Sequence, residues 1–396
     1  MVTSKTSSVL SYYLLAAATA LLVILGLAVM LSSSSIDSIK TEGDPYALFR
    51  DQVLYLVVGL VLMVLAIRAR PETLKRIAPW ALGVSVVFLL LVAVSPWGVS
   101  SGGNRNWLAL GPISLQPSEG AKFALALYLG VALSQLRHRF TTVGRALMPA
   151  GLVAGVLLFL VLLGQDVGTA AVMILLISAA YWTAGLPLRF FALGTVAAIT
   201  LVGVMVMVRK ELWDRVVAWW SPVCDAASDC YQSTHGTWAL ASGGLWGLGP
   251  GLSREKWSYL PKAHNDFIFA ILGEEFGLVG TVSVLIALAL IVIAVNRIVR
   301  RFRDPFVQIT AAALGAWIVG QASINIAVVT ELVPVTGIPL PLVSSGGSSL
   351  IMSLVGMGVL MSFARGEPGA KEAFAARSSV ARKSFAVIGR GRRRRG

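Results

Sequence analysis

An all-α, polytopic membrane protein with ten transmembrane helices is predicted from three features of the sequence. Of its 396 residues, 56% are hydrophobic and 13% charged, with a mean hydropathy of +0.79. A soluble domain carries about 25% charged residues, so a soluble enzyme and a disordered scaffold are excluded. The apolar residues fall in runs of 16 to 20, long enough to cross a roughly 30 Å hydrocarbon core as helix and too continuous for a membrane β-barrel. Two cysteines and three histidines exclude a disulfide scaffold, a zinc ribbon or an iron–sulfur protein and argue against a histidine-based metal centre.

The spans are expected at residues 12–31, 53–67, 78–94, 118–134, 148–163, 169–184, 190–208, 267–295, 306–329 and 344–363. The first is too long for the apolar region of a cleaved signal peptide. With the N-terminus placed inside, one set of connections and the tail carry 23 Lys and Arg and the other set nine. By the positive-inside rule both termini are then cytoplasmic. Eight of the eleven tryptophans fall in outer connections, where an indole suits the interface. The outer segments 32–52, 95–117 and 209–266 are longer than turns. The last, between the seventh and eighth spans, opens on a Trp-rich stretch, 213–220, that suits a membrane surface. Residues 1–363 form the membrane domain and 364–396 a basic, disordered cytoplasmic tail attracted to anionic lipid. This distribution accounts for the net charge of +14 without a nucleic-acid partner.

An ionisable side chain inside a span is costly unless paired, so each is a candidate functional group. Glu119 and Lys122 stand at i and i+3 behind Pro117 and share one helix face; mutual neutralisation alone would also explain them. Asp166, in Gln165-Asp166-Val167-Gly168-Thr169, either caps the next helix or meets Lys122 across the bundle. Asp266 lies where the large outer loop meets a long apolar helix, with Arg254, Lys256, Lys262 and His264 just before it. It is either an N-cap or a carboxylate working beside cations on an anionic lipid head group. Residues 336–349 contain two prolines, a diglycine and Ser344, Ser345, Ser348 and Ser349. This segment breaks the helix and must be buried in protein or line a wet cavity. It lacks the Lys-Ser/Thr ending of a P-loop. Cys224 and Cys230 are the only cysteines; in an oxidising compartment their spacing permits a disulfide, the alternative being two free thiols.

Four motifs occur in order: Gln116-Pro117-Ser118-Glu119 with Lys122; Asp166-x-Gly168-Thr169; Leu260 through Phe269 with Glu274-Glu275-x-Gly277; and Thr336-Gly-Ile-Pro-Leu-Pro with Ser344-Ser-Gly-Gly-Ser-Ser. Together they resemble the SEDS family (shape, elongation, division and sporulation) over about residues 12–364. That resemblance implies a peptidoglycan glycosyltransferase that polymerises lipid II at the outer face of the bacterial cytoplasmic membrane. Ala263-His264-Asn265-Asp266 and the long basic tail look more like the division-type branch, acting at the septum, than the elongation-type branch. It also implies Asp266 as the essential aspartate, a class B penicillin-binding transpeptidase as partner, and other membrane proteins of the division machinery. Two departures stand out: Asn106 sits where the family has an arginine before the tryptophan, with Arg105 one earlier, and Gln165 replaces a proline.

In this chemistry a sugar 4-hydroxyl attacks an anomeric carbon as lipid-linked pyrophosphate departs. Asp266 is expected to take the hydroxyl proton as general base. Arg105, Lys256, Lys262, His264, Ser344 and Ser348 are candidates for substrate binding, the cations stabilising the leaving group. Asp266 and Glu119 could hold Mg²⁺ or Mn²⁺. Glu119, Lys122 and Asp166 are assigned to a buried charged network that positions the site. A lipid-linked-oligosaccharide flippase and a scaffold are the competing readings. The flippase requires a polar path through the midplane and often repeat symmetry, whereas the densest polar cluster here is at the outer end.

Overall fold

A computed structural model describes residues 9–101, 104–111, 113–136, 144, 148–221, 230–257 and 259–375. Eight of its helices are long and apolar enough to cross a membrane: α1 (Leu10–Ser33), α3 (Ala47–Arg68), α4 (Pro71–Val94), α7 (Val167–Ala184), α8 (Leu188–Val208), α11 (Ile268–Arg301), α12 (Pro305–Val329) and α13 (Gly347–Arg365). Helices α5 (Pro117–Leu136) and α6 (Ala150–Leu163) stand at the two remaining expected positions. Three further helices, α2 (Ser35–Glu42), α9 (Lys210–Trp220) and α10 (Tyr231–Gly243), belong to the connections that the charge count predicts to be outer.

Local signals set the helix boundaries. Pro71, Pro117 and Pro305 open α4, α5 and α12, where a missing N–H costs nothing. Asp166 and Asp304 cap α7 and α12 with their side chains, and Gly185 ends α7 in the left-handed region, as a C-terminal glycine does. Helix α5 lies deepest, in contact with α4, α7 and α12; α13 runs along α3 and α11 along α1. Helix α8 is peripheral, with no buried residue.

Two features differ from the sequence expectation. The 95–117 connection folds as a small antiparallel sheet, β1 (Gly98–Ser101), β2 (Asn104–Leu110) and β3 (Ile113–Leu115), in the order β1-β2-β3. Its register pairs Trp107 with Val99 and Leu108 with Leu115. Leu108 is fully buried, so the sheet is anchored through one side chain of a strand too short to announce itself. The tail, expected to be disordered from 364, is docked over its first part: Ala370 and Ala373 pack on Val9, and Glu367 meets Arg301 at 3.0 Å.

The long helix α11 is broken at Gly277, where φ is +63°. A Cβ there would stand 2.4 Å from the Gly247 nitrogen, so only glycine admits the outer loop this close. Just before the break, Glu274 and Glu275 are both buried. Glu274 accepts from Ser253 Oγ at 2.5 Å and Arg254 N at 2.9 Å; Glu275 accepts from Ser32 and faces Lys256 at 3.8 Å. The acidic pair thus ties the outer loop to α1 and α11. Cys230 is disulfide-bonded; Cys224 lies outside the described residues.

Candidate functional site

Asp266 sits on a turn just before α11. Lys262, at φ +53°, starts that turn, and Asn265 N donates to Lys262 O at 3.0 Å. Three consecutive carbonyls of the turn are then fixed from outside it. His264 O accepts from Ser345 N at 3.0 Å, Asn265 O from Ser344 Oγ at 2.7 Å, and Asp266 O from Asn325 Nδ2 at 2.7 Å. Asn325 also donates to Ile338 O at 2.7 Å, so one amide on α12 clamps the turn to the broken segment. From α3, Gln52 holds the same segment by donating to Ser344 O at 3.2 Å and accepting from Gly346 N at 3.4 Å.

The carboxylate that this clamp positions is 4% exposed. It does not cap α11, whose N-cap is Phe267 with no side-chain cap. Asp266 Oδ2 faces Lys262 Nζ at 3.9 Å, and Asp266 Oδ1 has no hydrogen-bond partner among the described residues. Burial pushes the carboxyl above its ordinary value; Lys262 and His264 pull it back, Asp166 adds to the rise and Arg215 opposes it. The side chain opens on a cavity of about 300 Å³ whose walls include Asn106, Gln116, Arg215, Lys262 and Thr336. It draws on β2, α9, the turn before α11 and the broken segment.

Lys122 and Glu119 pair at 2.9 Å, both almost fully buried. Lys122 also donates to Gln321 Oε1 at 2.6 Å, an oxygen that accepts from Trp317 Nε1 at 3.0 Å. Gln321 Nε2 reaches Pro339 O at 3.0 Å. The charged pair is therefore linked to the broken segment through Gln321 of α12. Asp166 is not part of it. Its carboxylate accepts from Thr169 N at 2.9 Å, Thr169 Oγ1 at 2.8 Å and Asn106 Nδ2 at 2.8 Å, joining α7 to β2. Asn106, the departure from the family pattern, thus holds Asp166 together with Thr169 and Gln116. Gly168 leaves room for the broken segment, since a Cβ would meet Thr336 O at 2.9 Å.

Several sequence assignments need correction. Arg105 donates to Ser95 O at 2.6 Å and does not line the Asp266 cavity. Lys256 is spent on Gly251 O at 2.6 Å and Ser32 Oγ at 2.8 Å. Both stand close to a motif along the chain, yet their side chains turn into the loop's own packing. His264 pairs with Asp37 of α2 at 3.0 Å, and that contact holds the Asp37 carboxyl below its ordinary value. Ser344 and Ser348 serve backbone groups, Ser348 Oγ accepting from Gln116 N at 3.1 Å; Ser345 and Ser349 line the cavity. Glu119, bound to Lys122, does not line it either, so Asp266 and Glu119 do not fit a shared Mg²⁺ or Mn²⁺ site. No cluster of three or more His, Cys, Asp or Glu occurs among the described residues. Arg215, overlooked in the sequence, lines the cavity with Lys262; its place on an amphipathic outer helix was the available signal.

Asn325→Leu leaves two buried carbonyls without donors, at about 1–3 kcal/mol each, and frees the Asp266 turn. A shift near 1 Å in a reacting group costs on the order of 10²-fold in rate. The variant is expected to lose turnover of that order while KM changes little, and Asn325→Gln to recover part of it. Equal turnover by Asn325→Leu and the parent would remove the clamp from the catalytic argument.

Comparison with known proteins gives a consistent result. A family model for the cell cycle proteins FtsW, RodA and SpoVE matches residues 12–368. A protein of Mycobacterium tuberculosis named as a probable peptidoglycan glycosyltransferase FtsW is 38% identical over 366 residues, 92% of this chain and 70% of the relative. Stage V sporulation protein E of Bacillus subtilis is 33% identical over 368 residues, covering 92% and 99% of the two chains. Among solved structures, a chain from work on structural coordination of polymerization and crosslinking by a peptidoglycan synthase complex superposes with a TM-score of 0.71 at 27% identity, covering 90% of this chain and 97% of that one. The rod shape determining protein RodA of Thermus thermophilus gives 0.62 at 28% identity over 90% and 96%.

Proposed function

The chain belongs to the FtsW, RodA and SpoVE family of cell cycle proteins and is a peptidoglycan glycosyltransferase; from that premise we propose that it polymerises lipid II in the Asp266 cavity. The observation that carries the proposal is a buried carboxylate that lines a polar cavity, caps no helix and keeps one oxygen without a hydrogen-bond partner among the described residues. Such a group can accept the proton of the attacking 4-hydroxyl. Its raised proton affinity suits the task, because a base poised nearer the working pH transfers protons more effectively. Lys262 and Arg215 take the place of Arg105 and Lys256 as the cations facing the departing pyrophosphate.

We place ten spans in the bacterial cytoplasmic membrane, with both termini inside and the cavity at the outer face. We assign the chain to septal wall synthesis with a class B penicillin-binding transpeptidase as partner, and Cys224 as the partner of Cys230. Purified chain in liposomes with lipid II, no other polymerase and the transpeptidase blocked by a β-lactam is expected to yield muramidase-sensitive glycan strands. Transbilayer movement of lipid II without polymer would instead identify a flippase.

A further inference from the structure

The Asp266 cavity continues past Arg215. Arg215, Gln232 and Val335 line it and also line a second cavity of about 330 Å³. This second chamber lies between α9, the first turn of α10 and the segment after α12. Helix α9 is tied to that segment by Trp219 Nε1 donating to Glu331 O at 2.8 Å and Arg215 Nη1 to Val335 O at 3.5 Å.

The lining of the chamber identifies its ligand class. An indole from Trp219, the amide of Gln232, the hydroxyl of Thr234, a guanidinium from Arg215 and the carboxylate of Glu331 surround it. Donors and acceptors beside an aromatic surface suit a pyranose, with polar edges and an apolar face. A lipid tail would set the charges of Arg215 and Glu331 against hydrocarbon. A lipid-type groove does exist on the molecule, beside α6, and its walls are Met148, Gly151, Leu152, Gly155 and Phe159 with no polar side chain.

We infer that the second chamber is a saccharide-binding site holding the glycan unit adjacent to the reacting one, so that the growing strand stays bound between couplings. The inference rests on the polymerase reading. Bond formation at Asp266 needs only the two reacting sugars. Repeated coupling without release needs a grip on the unit made in the preceding cycle, and the chamber that meets Asp266's cavity at Arg215 and Gln232 supplies it.

Two variants test the chamber without touching Asp266, in the full chain with its β-lactam-blocked transpeptidase. Trp219→Ala removes the aromatic surface, and Thr234→Trp fills the space. Trp219→Ala is expected to shorten mean strand length about three- to tenfold, the weight of one aromatic contact, and Thr234→Trp to stop at short oligomers. In Thr234→Trp the rate of the first lipid II–lipid II coupling should equal that of the parent; Trp219→Ala also removes the bond that ties α9, and with it Arg215, to Glu331 O, so its strand length is read relative to its own first-coupling rate. Strands of parental length from both variants would overturn the inference. Loss of the first coupling in Thr234→Trp would overturn it too, by making the chamber part of the reacting pair's site. A binding measurement separates this from failure of the polymerase reading. A soluble peptidoglycan tetrasaccharide should bind Asp266→Asn as it binds the parent, and Trp219→Ala about three- to tenfold more weakly. Equal binding to all three, or none to the parent, contradicts the assignment.

Discussion

Asp266→Asn is expected to abolish glycan polymerisation while the protein remains folded and inserted. Asparagine has the same shape, and the contacts that hold this position are made by the backbone: Asn325 donates to Asp266 O and Ser344 to Asn265 O. The substitution removes a buried carboxylate, so it relieves a desolvation cost and leaves no helix end uncapped, since α11 is not capped by this side chain. Stability should be unchanged or slightly higher. An amide cannot accept the hydroxyl proton, and loss of a general base costs about 10²–10⁴-fold in rate. Turnover of lipid II is the measurement, with melting temperature in detergent as the control for folding. Turnover near the parental value by correctly inserted protein would refute the assignment.

Lys122→Met is expected to have the largest effect on stability. Lys122 and Glu119 are both almost fully buried, and removing one member of such a pair leaves an uncompensated charge, at about 3–5 kcal/mol. The same change takes the donor from Gln321 Oε1, which loosens the link to Pro339 O. Lys122→Met with Glu119→Gln removes the orphaned charge and should recover much of the melting temperature. It should not recover polymerisation, because the Gln321 bond stays broken. If Lys122→Met and Glu119→Gln each melt like the parent, the pair is neither buried nor coupled.

The residues that were legible in the sequence are those whose presence is costly. Asp266, Glu119, Lys122 and Asp166 interrupt apolar runs or stand at their ends, and an ionised group there demands a reason. Their partners were harder to see. Gln52, Gln321 and Asn325 are uncharged amides, whose burial is tolerated once hydrogen-bonded, so Gln321 and Asn325 passed as polar residues in a span and Gln52 as the last residue of an outer segment. Yet Gln321 and Asn325 stand at i and i+4 on α12, one face, and this spacing was the signal to weigh.

Cations were misassigned for a different reason. Arg105 and Lys256 stand near motifs in the sequence, but direction is set by local backbone: Arg105 lies on β2, facing Ser95, and Lys256 is captured by the Glu275 carboxylate and Ser32. Arg215 is 51 positions from Asp266 along the chain, and only the packing of α9 against residues 331–335 brings it to the cavity. Tertiary placement of the outer loop, unlike helix position, leaves no periodic trace in the sequence. The small sheet escaped for the same reason, since its strands of three to seven residues are too short for an alternation to stand out.

The central claim, that the Asp266 carboxylate is the proton acceptor, is tested most directly by the pH dependence of turnover in the parent and in Lys262→Asn, asparagine being tolerated at the positive φ of this position. The base works only when ionised, so the rate falls as pH drops through its pKa. Burial raises that value and the Lys262 charge lowers it; removing the lysine therefore raises it further. The expected result is an acid limb above the ordinary carboxylate range of about 4 in the parent, displaced to higher pH in Lys262→Asn, whatever the loss in maximal rate. An acid limb that stays in place or moves to lower pH would contradict the assignment of Asp266 as the base.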